Sequence, residues 1–449
     1  MEFNQNIFKK YDIRGVYGQD FEKSFAYQLG LAYIAFLKKK KPTIIVSRDM
    51  RLSSPILSKE VTRGLRSAGA KVIDIGLNSA PTFYFAVAKF KYDGGIMVSA
   101  SHNPKEWNGF KVVKAKAYPI SQTNGLEEIK KLILSKKLKP SKQIGTLIKK
   151  GNILRNQIKY DLQYAKAKKI KKFKIVIDAA NAMGAQYFNE LFKHIPAKLI
   201  KMNFKLDGNF PAHEADPLKE ENLIDLKKVI KKEKADFGIA TDGDGDRIFF
   251  VDDQGQTIDP AIIRGLLAKI FLAEKPKSKI AYDVRPGKIT LDLIKQNNGQ
   301  PILTPVGHSL IKEIMIKQKA YFAGESSGHF FLNLPIGCFE VPVIVLLKLM
   351  QHFSAIKEPI SEYLKQYRVY CHSGEINREV GNKEKAIKQI EKEYKNGKIN
   401  KLDGISVEYK NFWFNLRPSN TENKIRLNVE AVDKKTMERE RDKILKIIK

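Results

Sequence analysis

Two hydrophobic periods alternate along the first third of the chain. Residues 25–37 carry apolar side chains at helical spacing, residues 43–47 (Thr-Ile-Ile-Val-Ser) form a short continuous apolar run, and residues 55–67 return to helical spacing. Another short run follows at 71–75, a helical stretch at 82–89, and a third run at Ile96, Met97 and Val98. Short apolar runs separated by helices of this length predict βαβ units and a mainly parallel sheet. Residues 137–152 are polar, contain Pro and Gly, and read as a linker.

A second αβ unit follows. It has extended segments at 173–178, 197–203 and 237–240, with a helix at 218–232 and turn residues Asn181 and Gly184. A third unit starts near Asp259, with strands predicted at 280–284, 302–304 and 321–323 and a helix at 309–317. From about Glu358 the order changes. Extended segments at 368–380, 405–409 and 424–429 accompany helices at 383–394 and 435–448, which is an α+β pattern. The coarse expectation is three α/β units followed by one smaller α+β unit.

Composition sharpens this picture in three respects. With 449 residues, 43% hydrophobic and 10% aromatic, the chain has globular composition and is too long for one ordinary core. No apolar run approaches the roughly eighteen residues needed to span a bilayer; residues 341–350 come nearest and include Lys348. Two cysteines, Cys338 and Cys371, are too few for a disulfide framework, so a reducing, cytoplasmic setting is expected, with no membrane partner. The formal charge of +32, from 81 Lys plus Arg against 49 Asp plus Glu, raises a nucleic-acid-binding reading. The lysines are dispersed, however, and no aromatic-interleaved basic tract or zinc pattern accompanies them. No nucleic-acid partner is therefore expected, and the basic surface favours anionic substrates instead.

Four polar stretches carry candidate chemistry. Asp242, Asp244 and Asp246 alternate with glycines straight after the predicted strand 237–240, in Thr241-Asp-Gly-Asp-Gly-Asp-Arg247. Three carboxylates converging on one point repel each other unless a cation sits between them, and hard oxygen donors suit Mg²⁺ or Ca²⁺. An EF-hand is excluded, because its sixth and twelfth loop positions would be Arg247 and Asp253. Ser99-Ala-Ser101-His102-Asn-Pro104 ends the strand at 96–98. There Ser101 reads either as a nucleophile, with His102 and Lys111 near in sequence, or as a hydroxyl capping a turn. Gly324-Glu-Ser-Ser-Gly-His329 matches the G-x-S-x-G pattern of serine hydrolases, with Ser326 in the nucleophile position. No aspartate follows until Asp403 and no histidine follows that, and a glutamate such as Glu362 before His372 is crowded, so a triad fits poorly. The set suits hydrogen bonding to sugar hydroxyls better. Arg417-Pro-Ser-Asn-Thr421 reads either as an ordinary polar turn or as a phosphate cradle.

Taken together and in this order, the four stretches resemble the α-D-phosphohexomutase family over essentially the whole chain, closest to its phosphomannomutase/phosphoglucomutase group. The resemblance implies three similar mixed-sheet α/β domains, at 1–148, 149–250 and 251–357, plus a smaller C-terminal α+β domain at 358–449, around a central cleft. It implies an isomerase that moves a phosphoryl group between C1 and C6 of a phosphorylated hexose, through phosphoserine and a hexose 1,6-bisphosphate that also serves as activator. Ser101 would carry the phosphoryl group and, with Asp242, Asp244 and Asp246, bind Mg²⁺. Lys111 and Arg247 would neutralise charge at the reacting phosphate. His329 would be a candidate proton carrier, and Glu325 and Ser327 would grip two sugar hydroxyls. Arg417, Ser419, Asn420 and Thr421 would hold the distal phosphate. Tyr11-Asp-Ile-Arg14-Gly resembles an active-site segment of the family, and Arg285 and Gly307-His308 resemble further substrate contacts.

Phosphoglucosamine mutases of the family usually open with a Gly-Thr-Asp-Gly-Ile-Arg-Gly type of segment and carry Ala in the metal loop. Their sugar-loop residue at the position of Ser326 is Gln, and the bifunctional enzymes commonly have Met there. Mannose and glucose phosphates are the expected substrates, with glucosamine phosphate the alternative. The chain is expected to be a monomer or weak homodimer.

Overall fold

A computed structural model of the chain describes residues 3–418 and 424–448 and divides into two compact units. The first unit comprises residues up to Ile258 together with Ser327–Ser361, and the second comprises Asp259–Ser326 together with the chain from Glu362 onward. The architecture is the expected one, α/β domains with mixed sheets followed by an α+β domain.

Two sheets lie wholly within the first unit, which also holds the antiparallel pair Phe330–Leu334 and Gly337–Glu340. In the first, the strand order is Ile13–Val16, Trp107–Lys114, Gly94–Val98, Thr43–Arg48, Lys71–Leu77, Leu147–Lys149. The last four are parallel, Trp107–Lys114 runs antiparallel between Gly94–Val98 and Ile13–Val16, and Tyr118–Pro119 pairs with it. The continuous apolar runs are explained by burial on both faces. Ile44, Val46, Val72, Ile96, Val98, Phe110 and Val112 pack in one core with helices Lys23–Leu37, Ser54–Ser67 and Glu127–Leu134. Ile45 points the other way, and it and Phe83 of helix Ala80–Lys89 crowd Gly95.

The polar stretch at 137–152 is not wholly a linker. Leu147–Lys149 pairs parallel with Lys71–Leu77 as the sheet's edge. It escapes a reading by periodicity because all three of its residues are exposed, so its pairing depends on main-chain hydrogen bonds alone. Lys348, the one charge in the apolar stretch near 341–350, is buried, and its Nζ donates to the Ala165 carbonyl at 2.8 Å. It thus satisfies a carbonyl at the end of helix Ile153–Ala165, which packs against Pro342–Ser354.

The second sheet orders Ile248–Asp252, Phe237–Thr241, Lys174–Asp178 and Lys198–Met202. Only the first pair is antiparallel, so Asp242 to Arg247 form the connection of a hairpin. The helix predicted at 218–232 is a 3₁₀ turn, Glu220–Leu223, followed by the α-helix Ile224–Glu233.

In the second unit, Lys279–Asp283 lies parallel between Gln300–Thr304 and Phe322–Gly324. The C-terminal sheet is antiparallel, in the order Cys371–Glu379, Lys424–Ala431, Phe412–Pro418, Ile405–Glu408, Lys398–Asn400. Helices Lys383–Glu393 and Lys434–Ile447 share its core. Among the described residues, no helix is long and apolar enough to cross a membrane.

Phe21, Phe25 and Phe110 pack in the first core with ring centroids 5.7, 5.8 and 5.9 Å apart. Phe110→Ala should destabilise the first unit by about 3–5 kcal/mol, read from its urea unfolding transition. A loss under about 1 kcal/mol would show that this aromatic cluster contributes little to the fold.

Candidate active site

Strand Gly94–Val98 delivers Ser99 and Ser101 to the end of the first sheet, and strand Phe237–Thr241 delivers the aspartates to the end of the second. Ser101 adopts a left-handed backbone with φ 50°, which L-residues other than Gly and Asn seldom take. Its buried hydroxyl donates to Asp242 Oδ2 at 2.6 Å and lies 3.4 Å from His102 Nδ1. Its N–H donates to Ser99 Oγ at 3.0 Å, so Ser99 supports the loop. The two loops meet tightly. A Cβ on Gly243 would lie 2.2 Å from the Ser101 carbonyl oxygen, so no other residue fits there without displacing the serine. Gly245 turns the chain with φ 73°, and the Gly245 and Arg247 N–H groups donate to Asp242 Oδ1 at 3.1 and 3.2 Å.

The three carboxylates are buried, and one oxygen from each lies within 4.8 Å of the others. Burial, then the charges of Asp246 and Asp244, push the Asp242 carboxyl up to about 7. Burial and Asp246 raise Asp244 in the same way, against the opposing pull of Lys111. Lys111 reaches this group from the middle of strand Trp107–Lys114, with Nζ 3.1 Å from Asp244 and 3.0 Å from Asp246. Burial disfavours its charge, but Asp244 and Asp246 outweigh burial and hold the ammonium well above its ordinary range. Lys111 therefore offsets part of the negative charge of the three carboxylates, and Arg247, 3.7 Å from Asp242, offsets a further part. Asp244 Oδ1 is buried without a hydrogen-bond partner among the described residues. An oxygen-only donor set with an orphaned buried lone pair fits a hard cation.

Around this cluster stand the other groups of the first unit. His329 Nε2 is 3.1 Å from Asp246 Oδ1, and its Nδ1 is 2.9 Å from Ser327 Oγ. A backbone hydrogen bond from Ile248 N to the Gly328 carbonyl ties this segment to the aspartate loop. Arg247 points Nε and Nη1 to within 3.7 Å of Asp242 and Asp216, with neither nitrogen hydrogen-bonded among the described residues. Arg14 is oriented by Asp12 at 2.6–2.7 Å and donates to Asn103 Oδ1 at 2.8 Å. His102 is depressed well below the ordinary histidine range by burial and by Arg247 and Arg14, so it is a neutral imidazole. Tyr11 is half-buried, shortly before strand Ile13–Val16.

The second unit holds the remaining described candidates. Glu325 Oε1 accepts the Gly307 N–H at 2.9 Å and lies 3.3 Å from Arg285, whose Nε is 2.5 Å from Asp283. His308 is buried at the start of helix His308–Gln318. Arg417 pairs with Glu375 at 2.8 Å; burial raises the Glu375 carboxyl, but Arg417, Arg285 and Arg426 together hold it below its usual range. Ser419, Asn420 and Thr421 lie outside the described residues. The Gly324–His329 segment passes from the second unit into the first between Ser326 and Ser327. Ser326 Oγ donates to Asp283 Oδ1 at 2.9 Å and accepts from Arg264 at 3.2 Å. It faces a carboxylate and a guanidinium, not an imidazole, so the hydrolase geometry is absent there.

Two supporting residues escape a reading of motifs. Asp283 holds both Arg285 and Ser326, and Arg51 is buried with its guanidinium among the carbonyls of the Ser101 loop. The available signal for Arg51 is slight: charged Arg48, Asp49 and Arg51 crowd the end of the apolar run at 43–47.

Four family models, described as phosphoglucomutase/phosphomannomutase α/β/α domains I, II and III and C-terminal domain, match residues 5–139, 154–255, 259–370 and 375–447. A phosphomannomutase of Methanocaldococcus jannaschii is 39% identical over 444 residues, covering 98% of this chain and 97% of the relative. One from Escherichia coli is 37% identical, covering 98% of this chain and 99% of the relative. A solved phosphoglucomutase/phosphomannomutase family protein from Burkholderia thailandensis superposes with a TM-score of 0.88 at 28% identity, covering 99% of this chain and 97% of that one. With every domain matched in order over almost its whole length, the chain belongs to the phosphoglucomutase/phosphomannomutase family and is an isomerase of the phosphohexomutase type.

Proposed function

We propose that the protein catalyses reversible transfer of a phosphoryl group between C1 and C6 of mannose and glucose phosphates, through phosphorylated Ser101 and an enzyme-bound hexose 1,6-bisphosphate. The observation that carries this reading is the Ser101 hydroxyl, presented on a left-handed backbone 2.6 Å from Asp242 at the edge of the aspartate cluster.

Phosphoryl transfer needs in-line positioning and charge stabilisation more than covalent assistance. Asp242, Asp244 and Asp246 would hold Mg²⁺, which would supply positive charge beside the phosphoryl group on Ser101. Lys111 adds a fixed ammonium on Asp244 and Asp246, and the Arg247 nitrogens that have no hydrogen-bond partner among the described residues are donors for phosphoryl oxygens. In the forward half-reaction the sugar hydroxyl attacks phosphorus, the Ser101 Oγ–P bond breaks, and the hydroxyl proton passes to a base while Ser101 Oγ takes up one proton, so that the free serine hydroxyl is restored. His329 serves as that proton carrier, because its ring is fixed between Ser327 and Asp246. The return step uses the same groups after the intermediate has turned over.

Glu325 and Ser327 bind sugar hydroxyls, assisted by Arg285, His308 and Tyr11, with Arg14 close to the phosphoserine loop. Arg417, with Ser419, Asn420 and Thr421, binds the phosphate that is not reacting. Glucose and mannose share the hydroxyls assigned to Glu325 and Ser327, so discrimination at C2 is weak.

In a coupled assay primed with bisphosphate, kcat/KM for mannose 1-phosphate and glucose 1-phosphate should therefore agree within about tenfold. A decisive preference for glucosamine 1-phosphate would replace this substrate assignment with the amino sugar. Ser101→Ala should abolish turnover and remove one phosphoryl group from the intact mass of the purified protein. Ser326→Ala should alter substrate affinity only, and the reverse pattern would sink the phosphoserine reading.

The aspartate cluster also predicts a pH dependence. Asp242 binds its proton more tightly folded than unfolded, since burial and its neighbours push it up to about 7. That contribution to stability is full below the ordinary aspartate range and is lost as pH rises through about 7. Metal-free protein should thus lose thermal stability between about pH 5 and pH 8, and saturating Mg²⁺ should raise Tm more at pH 8 than at pH 6. An equal rise at both values, measured by calorimetry in chelator and in Mg²⁺, would count against the cluster as the metal site.

A further inference from the structure

We propose that Arg51 is a positioning residue for Ser101, holding the phosphoserine loop in the backbone conformation that aims the hydroxyl at the aspartates. This rests on the reading of Ser101 as phosphoryl carrier. Arg51 is fully buried, and its guanidinium serves four carbonyls of one loop. Nη2 donates to Ser101 O at 2.7 Å and Asn103 O at 2.5 Å, while Nη1 donates to Pro104 O at 2.6 Å and Trp107 O at 3.0 Å. Nε faces Asp49 Oδ2 at 3.3 Å. Asp49 is itself fixed, because its other oxygen accepts the Arg51 N–H at 3.1 Å and the Ser54 hydroxyl at 2.5 Å.

A left-handed serine persists only where its surroundings over-determine it. Here the carbonyl of that serine is one of the four acceptors, so the guanidinium acts directly on the peptide that sets Ser101. The four bonds use Nη1 and Nη2 together as one planar fork; lysine has three donors and cannot span four carbonyls in one plane. Phe210, from the loop after strand Lys198–Met202, places its ring 5.1 Å from the guanidinium carbon and closes its face. The arginine thereby links the serine loop of the first sheet to a loop from the second sheet within the same unit. Among the described residues its guanidinium hydrogen bonds go to neither the aspartate cluster nor a substrate-binding side chain; the Asp244 charge acts on it without a hydrogen bond, and its direct contact with the site is the Ser101 carbonyl.

Arg51→Lys keeps the charge and removes the fork. It should lower kcat about 100-fold while leaving KM for mannose 1-phosphate within about threefold, the signature of a misplaced reacting group. Hydrogen exchange of the peptide covering residues 99–108 should quicken in the same variant. Unchanged kcat per folded molecule, even with a lowered Tm, would assign Arg51 to the scaffold alone and overturn the proposal. Should Arg51→Lys fail to fold, Phe210→Leu provides the same readouts at smaller amplitude, with kcat falling about fivefold; unchanged kcat there overturns the proposal too. Should Ser101→Ala retain turnover, the carrier reading fails separately. A crystal structure of Arg51→Lys then decides the positioning claim, which stands if Ser101 leaves the left-handed region and falls if it stays.

Discussion

Three buried carboxylates within 4.8 Å of one another are the constraint on which the first unit turns. Like charges this close and this poorly solvated do not all stay ionised without compensation, and the shifts of Asp242 and Asp244 report that tension. The fold answers it in part. Lys111 arrives from the centre of a core strand, and backbone N–H groups of Gly245 and Arg247 close on Asp242. What remains fits a hard cation. The same crowding dictates the backbone: Gly243 must lack a side chain because the Ser101 carbonyl occupies the space, and Ser101 must turn left-handed to bring its hydroxyl round.

The groups proposed for phosphoryl chemistry all lie in the first unit, whereas those proposed to hold the substrate come from both, Tyr11 and Ser327 from the first and the rest from the second. Ser101, Lys111, the aspartates, Arg247 and His329 belong to the first, whereas Arg285, His308, Glu325 and Arg417 belong to the second. One six-residue segment contributes to both, since Glu325 lies before the crossing and Ser327 and His329 after it. That placement explains the density of polar residues in a stretch that otherwise reads as a strand end.

Much of this was legible in the sequence, for reasons that also explain the omissions. Strands buried on both faces, such as Thr43–Arg48 and Phe237–Thr241, announce themselves as apolar runs, and the loops that follow them stand out by contrast. Trp107–Lys114 was not predicted as a strand, because its polar Asn108 and Lys111 are buried for electrostatic and hydrogen-bonding reasons that no hydrophobic pattern records. Leu147–Lys149 was hidden for the opposite reason, its side chains being exposed. The aspartate triad was found because chemistry demands repeated residue types at short spacing. Arg51 was not, because its partners are main-chain carbonyls from Ser101 to Trp107, and carbonyls have no letter in a sequence.

The G-x-S-x-G string shows why spacing alone decides little. Ser326 has the residues of a nucleophile elbow around it, yet its hydroxyl is bonded to Asp283 and Arg264, and the same Asp283 orients Arg285 toward Glu325. A string is read by the charges that surround it. Those charges differ between the two units. Around Ser101 three buried carboxylates face Lys111 and Arg247. In the second unit, the guanidinium groups of Arg264, Arg285, Arg417 and Arg426 gather on Asp283, Glu325 and Glu375. Neither balance depends on the +32 of the whole chain, which is spread over a lysine-rich surface. Local charge at the site, more than the surface total, selects the ligand; the surface charge at most steers it there.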